Sequence, residues 1–470
     1  MSTDHVELRT GAYADSVTLL QVSRRVQQLP GVVTAQVAMA TPLNVEVLER
    51  MGFAVPPEAT VNHLVVAVRL EDSGALDGVV TEVDRALTDS RRQGSGPAEE
   101  EPPHTTASAL RRGPASVVLV SVPGASAAVE AMDALEAGCD VMVFSDNVPI
   151  EQEVALKRFA SARDLLMMGA DCGTAVVGGV GLGFANVVAP GPVGIVAASG
   201  TGCQQLLALL DHAGVGVATA YGVGGRDLSA DVGGLATRTA LTRLDRDPGV
   251  ELAVLVSKPP ASAVARELTA YAEALGTPVI PALLGPGRPD LTARAEEVLR
   301  ALAREVPEWP VRGRHTRAGT GIRLHGLFVG GTMKQEAEAL VTAAGVPSDL
   351  VDLIDFGDDE YTTGRAHPMI DPTLRLEHLA EVAADDETGV VLLDVVLGHG
   401  AEDDPAASLA PAITGLRPSV VVTVVGTRYD PQGLDRQVAT LVDAGAEVHL
   451  SNAGATRRAL EILGAGVTEG

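Results

Sequence analysis

The chain has 470 residues, of which 46% are hydrophobic but only 3% aromatic, and it carries 51 glycines and a formal charge of −26. That length corresponds to about three domains of ~150 residues, with cores resting on Val, Leu, Ala and Ile. An acidic surplus of this size argues against nucleic acid or an anionic membrane surface as partner, because no basic surplus exists to release counterions.

In chain order, residues 1–90 read as a small α+β module. Strands are predicted over 6–9, 31–39 and 63–68, and helices over 13–29, 42–51 and 75–87, the second opening on Pro42. The order resembles ferredoxin-like modules. Residues 91–115, with Arg91-Arg92-Gln93-Gly94-Ser95-Gly96-Pro97 and Glu99-Glu100-Glu101-Pro102-Pro103, are poor in apolar residues and read as a flexible acidic linker.

From Ser116 strand and helix alternate. Residues 116–190 give a first unit: an apolar strand over 117–122, expected to be buried on both faces, a helix over 127–137, a strand over 140–145, a helix over 150–168 and a small-residue strand over 175–180. Residues 191–303 give a second, with strands over 193–198, 215–220, 252–257 and 278–283. A linker over 304–322 holds Trp309-Pro310, Arg312, Arg314, His315 and Arg317. Residues 323–470 give a third, with strands over 326–329, 353–356, 389–396, 419–425 and 448–451. Such alternation implies α/β architecture with parallel sheets and right-handed crossovers. The second and third units open alike, which suggests an approximate internal duplication.

The most informative turn is Ser199-Gly200-Thr201-Gly202, between a buried strand and the helical pattern from Cys203. Free N–H groups at a helix start, with the positive end of the helix dipole, make an anion site, although an ordinary βα turn has the same pattern. Gly330-Gly331-Thr332 repeats it in the third unit, and Pro123-Gly124 opens the first. Further candidates sit at other strand ends. Asp171 and Cys172 offer a carboxylate and a thiol, or a buried cysteine. Gly224-Gly225-Arg226-Asp227 offers an Arg clamp for a carboxylate or phosphate, or a solvated pair. Arg365 and His367, in a loop with Asp355, Asp358, Asp359 and Glu360, suit an anionic group and Mg²⁺, or form a polar surface loop. Asp394, His399, Gly426 and Thr427 end two more strands, where ligands of parallel sheets bind.

Lysine occurs only at Lys157, Lys258 and Lys334, and no G-x-x-x-x-G-K-[ST] motif is present. Cys139, Cys172 and Cys203 form neither a C-x-x-C pair nor a zinc motif, and no metal site is expected from them. Their small odd number fits a reducing, cytoplasmic setting. No apolar run of ~18 residues lacks Gly, Pro or charge, so no transmembrane helix is expected.

Val193 to Leu210, with Gly169-Ala170-Asp171-Cys172 before it and Gly222-Val223-Gly224-Gly225-Arg226-Asp227 after it, resembles the α subunit of succinyl-CoA ligase. The resemblance implies a Rossmann-like CoA-binding-type domain followed by two flavodoxin-like parallel-sheet domains, after the small N-terminal module. The whole chain looks closer to the FdrA family, through Phe328-Val329-Gly330-Gly331-Thr332, Gly357-Asp358-Asp359-Glu360-Tyr361, His367-Pro368-Met369-Ile370-Asp371-Pro372 and Leu393 to Gly400. That resemblance implies a subunit of a hetero-oligomeric carbamoyltransferase acting on carbamoyl phosphate, oxamate and oxalurate in allantoin use. The alternatives are an acyl-CoA ligase subunit, with CoA or a nucleotide as ligand, and a non-catalytic scaffold. On the carbamoyl reading the Ser199 and Thr201 turn holds phosphate while Arg226, Arg365 or His367 grips a carboxylate, with His399 a further candidate. One departure bears on the ligase reading: its phosphate-carrying histidine has no counterpart, since no His lies between His212 and His315.

Overall fold

The computed structural model describes residues 3–12, 14–92, 103–313, 321–362 and 365–464. Parts of the predicted linkers, including Arg314, His315 and Arg317, and the residues Tyr13, Thr363 and Gly364 lie outside the described residues. The chain divides into two compact units, Met1–Pro102 with Phe356–Thr373, and Pro103–Asp355 with Leu374–Gly470.

In the first unit, β1 (Thr3–Thr10), α1 (Ser16–Gln27), β2 (Val32–Met39), α2 (Pro42–Arg50), β3 (His63–Leu70) and α3 (Leu76–Arg92) follow in the predicted order. The sheet is antiparallel, ordered β1-β3-β2. Its middle strand explains the apolar run His63 to Val68. Leu64, Val66, Val68 and Leu70 pack with α1 and α3, while Val65 and Ala67 pack with Leu48 and Phe53. Asp15 caps α1 by accepting from Thr18 N, and Thr41 caps α2 from Asn44 N.

The second unit opens with a helix inside the predicted linker, α4 (Thr106–Arg112), whose Thr106 N donates to Glu130 Oε2 at 3.2 Å. Next come β4 (Val117–Val120), α5 (Gly124–Glu136), β5 (Asp140–Val143), α6 (Ile150–Ser161) and β6 (Met167–Met168), giving a parallel sheet β4-β5-β6. Two expectations are corrected here. The strand predicted to be buried on both faces is an edge strand with Leu119 45% exposed, because β5 alone flanks it. The helix predicted through 168 stops at Ser161, after which Asp164 takes φ 57° and the chain turns into β6.

β7 (Thr174–Val177) and β8 (Val180–Gly183) form a hairpin that joins the next sheet rather than the first. That sheet continues with β9 (Val193–Ala198), α7 (Gly200–His212), β10 (Val217–Gly222), α8 (Leu235–Arg246), β11 (Leu252–Ser257), α9 (Ser262–Glu273), β12 (Val279–Leu283) and α10 (Leu291–Ala301). Its order is β12-β11-β9-β10-β7-β8, with β9 to β12 parallel.

The last sheet contains β13 (Val311–Arg312), β14 (Arg323–Phe328), α11 (Gly331–Ala343) and β15 (Val351–Asp355). The chain then contributes α12 (Asp359–Thr362) to the first unit and returns with α13 (Thr373–Ala384), β16 (Thr388–Val396), α14 (Pro405–Ile413), β17 (Ser419–Val425), α15 (Leu434–Asp443), β18 (Glu447–His449) and α16 (Asn452–Ile462). Its order is β13-β18-β17-β16-β14-β15, parallel apart from β13, which lies in the predicted second linker. Leaving β13 aside, the order is that of doubly wound flavodoxin-like sheets.

The two large sheets share α7, whose residues Thr201 to Asp211 are all buried. This explains the polar residues in its apolar run. Gln205 Nε2 donates to Leu450 O at 3.0 Å, and Arg428 Nε to Asp211 Oδ2 at 3.2 Å. Nearby, Asn186 Nδ2 donates to Asp430 Oδ2 at 2.7 Å and Thr427 Oγ1 to Val187 O at 2.7 Å. Among the described residues, no helix is long and apolar enough to cross a membrane.

Candidate functional site

In an open parallel sheet the crevice for a ligand lies where the strand order reverses, beyond the carboxyl ends of the two strands that part there. In the second sheet those strands are β9 and β11, which lead into Ser199 and Lys258; in the third they are β14 and β16, which lead into Val329-Gly330-Gly331 and Leu397-Gly398. The structure brings the two crevices together. Ser199 Oγ and Thr332 Oγ1, 133 positions apart, share a hydrogen bond of 2.5 Å. Ser199 also caps α7 by accepting from Gly202 N at 3.0 Å. No side chain caps α11, so its first N–H groups point out of the corner without a side-chain acceptor.

The glycines set the closeness. A Cβ on Gly330 would lie 2.9 Å from Thr201 Cβ, and one on Gly331 would lie 2.3 Å from Asp355 Oδ2 and 3.0 Å from Lys258 Nζ. All seven residues expected to hold an anion, Ser199 to Gly202 and Gly330 to Thr332, therefore converge on one place. Lys258 escaped the sequence reading, although it directly follows the strand at the reversal point.

Asp394 is fully buried and accepts from Val329 N at 2.8 Å and Gly330 N at 3.0 Å. It positions the corner from beneath. Burial raises its carboxyl to about 6, against the Arg375 charge and the two backbone donors, which lower it. Arg375, also missed from sequence, is 3% exposed with Nη1 3.5 Å from Asp394 Oδ1.

Other expected ligand residues are engaged within the fold. Arg226 Nη2 pairs with Glu153 Oε2 at 2.8 Å and donates to Val148 O at 2.8 Å, so its guanidinium is already clamped. Asp227 is fully buried, accepting from Lys157 Nζ at 2.7 Å and from Thr237 N at 2.9 Å, where it anchors the first turn of α8. Gly224 (φ +86°) is where the loop crosses the Gly169-Ala170 backbone, since its Cβ would lie 2.3 Å from Ala170 O. Gly225 follows it near the exposed Asp171.

Burial pushes the Cys172 thiol up to about 12, and it donates to Gly222 O at 3.3 Å. It is not a nucleophile at neutral pH. Alkylation of the native chain at pH 8 should therefore leave Cys172 unmodified and label it only after unfolding, as peptide mass spectrometry would show.

At the first sheet, Gly124 begins α5 after Pro123, with no side-chain cap, and a Cβ there would meet Asp146 O at 2.1 Å. His399 is exposed, while its backbone bridges to Ala185, His399 N donating to Ala185 O at 2.8 Å. Thr427 is fully buried, its N donating to Asp430 Oδ2 and its Oγ1 to Val187 O, and Gly426 lies against Leu397. These last positions hold sheets together.

Arg365 and His367 belong to the first unit, not to the edge of the third sheet. Arg365 Nη2 is 3.2 Å from Asp371 Oδ2, and Nη1 is 3.5 Å from Asn44 Oδ1. Burial lowers His367 to about 4, so its ring is neutral at pH 7 and lacks the charge that would grip an anion. Among the described residues no group of three His, Cys, Asp or Glu side chains is placed to hold a metal ion.

Residues 1–103 match the family described as AllF, heavy metal-associated domain, and residues 327–462 match the family described as CoA-ligase. This module contains no cysteine, the three of the chain being Cys139, Cys172 and Cys203. The succinate–CoA ligase (ADP-forming) α subunit of Methanothermobacter thermautotrophicus is 28% identical over 179 residues, which span 37% of this chain and 58% of that one. A solved structure of the dinucleotide-forming acetyl-coenzyme A synthetase 1 of Ca. Korarchaeum cryptofilum, in complex with phosphate and ADP, aligns over 79% of this chain and 87% of its own, at 16% identity and a TM-score of 0.32. The uncharacterised protein YahF of Escherichia coli K12 is 36% identical over 490 residues, covering 94% of this chain and 95% of YahF. Two matched domains of different kinds within one chain, and a relative alike along nearly its whole length, make this chain a member of the YahF family, with a CoA-ligase-like domain behind an AllF-type N-terminal module.

Proposed function

We propose that this protein is an acyl-CoA-ligase-like subunit that binds a phosphate or acyl phosphate between the N-termini of α7 and α11. The observation that carries the reading is the Ser199–Thr332 contact, which joins two helix N-termini at two sheet-reversal points. Two positive helix ends, hydroxyls from Ser199, Thr201 and Thr332, and the Lys258 ammonium suit a compact dianion. The corner of α5 at Pro123-Gly124 is the place for the CoA diphosphate on this reading. The matches to CoA-ligase sequences support it. Carbamoyl transfer among carbamoyl phosphate, oxamate and oxalurate, as the FdrA resemblance implies, gains no support from these relatives, and we favour the ligase-type chemistry.

The ligase resemblance implies a histidine that carries phosphate, and here the loop after β12 reads Leu284-Gly285-Pro286-Gly287-Arg288. His212 closes α7 beside Trp309, at the opposite end from the corner, and His449 pairs with Glu447. On this reading the chain holds the phosphate non-covalently, and positioning and charge stabilisation are its contributions.

Equilibrium dialysis with radiolabelled inorganic phosphate tests the site. The double variant Ser199→Ala, Thr332→Val should bind more than tenfold more weakly, since each lost contact to a charged ligand is worth about 1.5–3 kcal/mol. A double variant that binds like the wild type, or a wild type that binds no phosphate, would overturn the reading.

A further inference from the structure

We propose that Arg375 reads a second acceptor group of the substrate, an oxyanion presenting two coplanar oxygens, beside the α11 corner. The inference rests on the proposed phosphate site for its place and adds the chemistry of the ligand's other end. Arg375 stands in the first turn of α13 and is 3% exposed. Its Nη1 faces Asp394 at 3.5 Å, but Nε and Nη2 have no hydrogen-bond partner among the described residues. Asp394 meets the guanidinium only through Nη1, while its oxygens also accept from Val329 N and Gly330 N. Glu402 also faces the guanidinium electrostatically, but its Oε1 accepts from Ser408 Oγ at 2.5 Å.

The identity of the two unused groups matters. Nε and Nη2 form one straight edge of the guanidinium, with parallel N–H bonds spaced to meet two oxygens of a carboxylate or phosphate. A buried charged donor left unmade costs free energy, and a native structure keeps such a group where something else completes it. The completing group lies within reach of the uncapped end of α11, because Asp394 joins Arg375 to Gly330 directly. A substrate with an oxyanion at each end would then span from the Ser199–Thr332 corner to Arg375.

The test is thermal unfolding and calorimetric titration of the full chain with inorganic phosphate and, separately, succinate. The wild type should bind at least one of them. Arg375→Met and Arg375→Lys should both bind that probe more than tenfold more weakly, because neither side chain offers the paired edge. Without ligand, Arg375→Met should melt below the wild type, because it leaves the buried Asp394 without its counter-charge, whereas Arg375→Lys keeps a cation there and should melt closer to the wild type, so the binding comparison rests on the lysine variant. Loss of succinate alone marks the group as a carboxylate, and loss of phosphate alone marks it as a phosphate. Unchanged affinity in both variants, or a wild type that binds neither probe, would overturn the inference. If Ser199→Ala, Thr332→Val loses phosphate while Arg375→Met keeps both probes, the phosphate site stands and Arg375 falls. If succinate needs Arg375 but the wild type ignores phosphate, the reverse holds.

Discussion

Lys157→Met should destabilise the second unit by about 3–5 kcal/mol, the cost of removing one partner from a buried ion pair. Lys157 has no exposed side-chain surface, and neither do its partners Glu153, at 2.9 Å, and Asp227, at 2.7 Å. A third contact runs from Nζ to Val223 O at 2.8 Å, so the ammonium donates hydrogen bonds to Asp227 and Val223 and faces Glu153 as an ion pair. Methionine would fill the volume but leave two carboxylates without their shared counter-charge, with Arg226 still pairing with Glu153. Urea unfolding followed by circular dichroism should show a lower midpoint in Lys157→Met. A midpoint within the wild-type error would mean that Arg226 and the α8 N–H groups already neutralise the pair. In this network the Arg and Asp of the Gly-rich loop after β10 complete the joint between α6 and α8.

Gly331→Ala should weaken phosphate binding more than tenfold while leaving the fold intact. The added methyl would meet Asp355 Oδ2 at 2.3 Å and Lys258 Nζ at 3.0 Å, both ends of side chains that can swing aside. The backbone then stays in place, but the ammonium leaves the corner and the opening narrows. The loss of a charged contact of about 1.5–3 kcal/mol gives the expected affinity change. Gly330→Ala provides the contrast, because its methyl would press on Thr201 Cβ at 2.9 Å, close to the α7 backbone. That variant should lose both binding and stability, overpacking costing about 1–3 kcal/mol. Titration calorimetry with phosphate and a thermal melt of each variant separate the two effects. Equal binding in Gly331→Ala and wild type would remove the Lys258 side of the site.

Much of this architecture was legible in the sequence because the signals were local. Each strand-to-helix corner announces itself by an apolar run, a few small residues and a helical pattern, and β9 to α7 and β14 to α11 fell where these signals put them. Errors arose where pairing partners decide. The run at 117–122 has the composition of a central strand but sits at an edge, and the hairpin β7–β8 is covalently next to the first sheet yet hydrogen-bonded in the second. Arg365 and His367 were read as neighbours of the third sheet because they follow β15, whereas that stretch folds with the first unit. Lys258 and Arg375 carried no motif, and their relevance comes from what stands opposite them.

The amino-acid order alone determined the α/β class, the run of βα corners and the anion-seeking character of those corners, since each depends on backbone geometry within a few residues. Only the tertiary structure decided which corners face each other. Ser199 meets Thr332 across 133 positions, and Lys258 and Arg375 reach the corner from other strand and helix ends. Such encounters depend on strand order and on how two sheets share a helix, which follow from the packing of many residues at once and from no single segment.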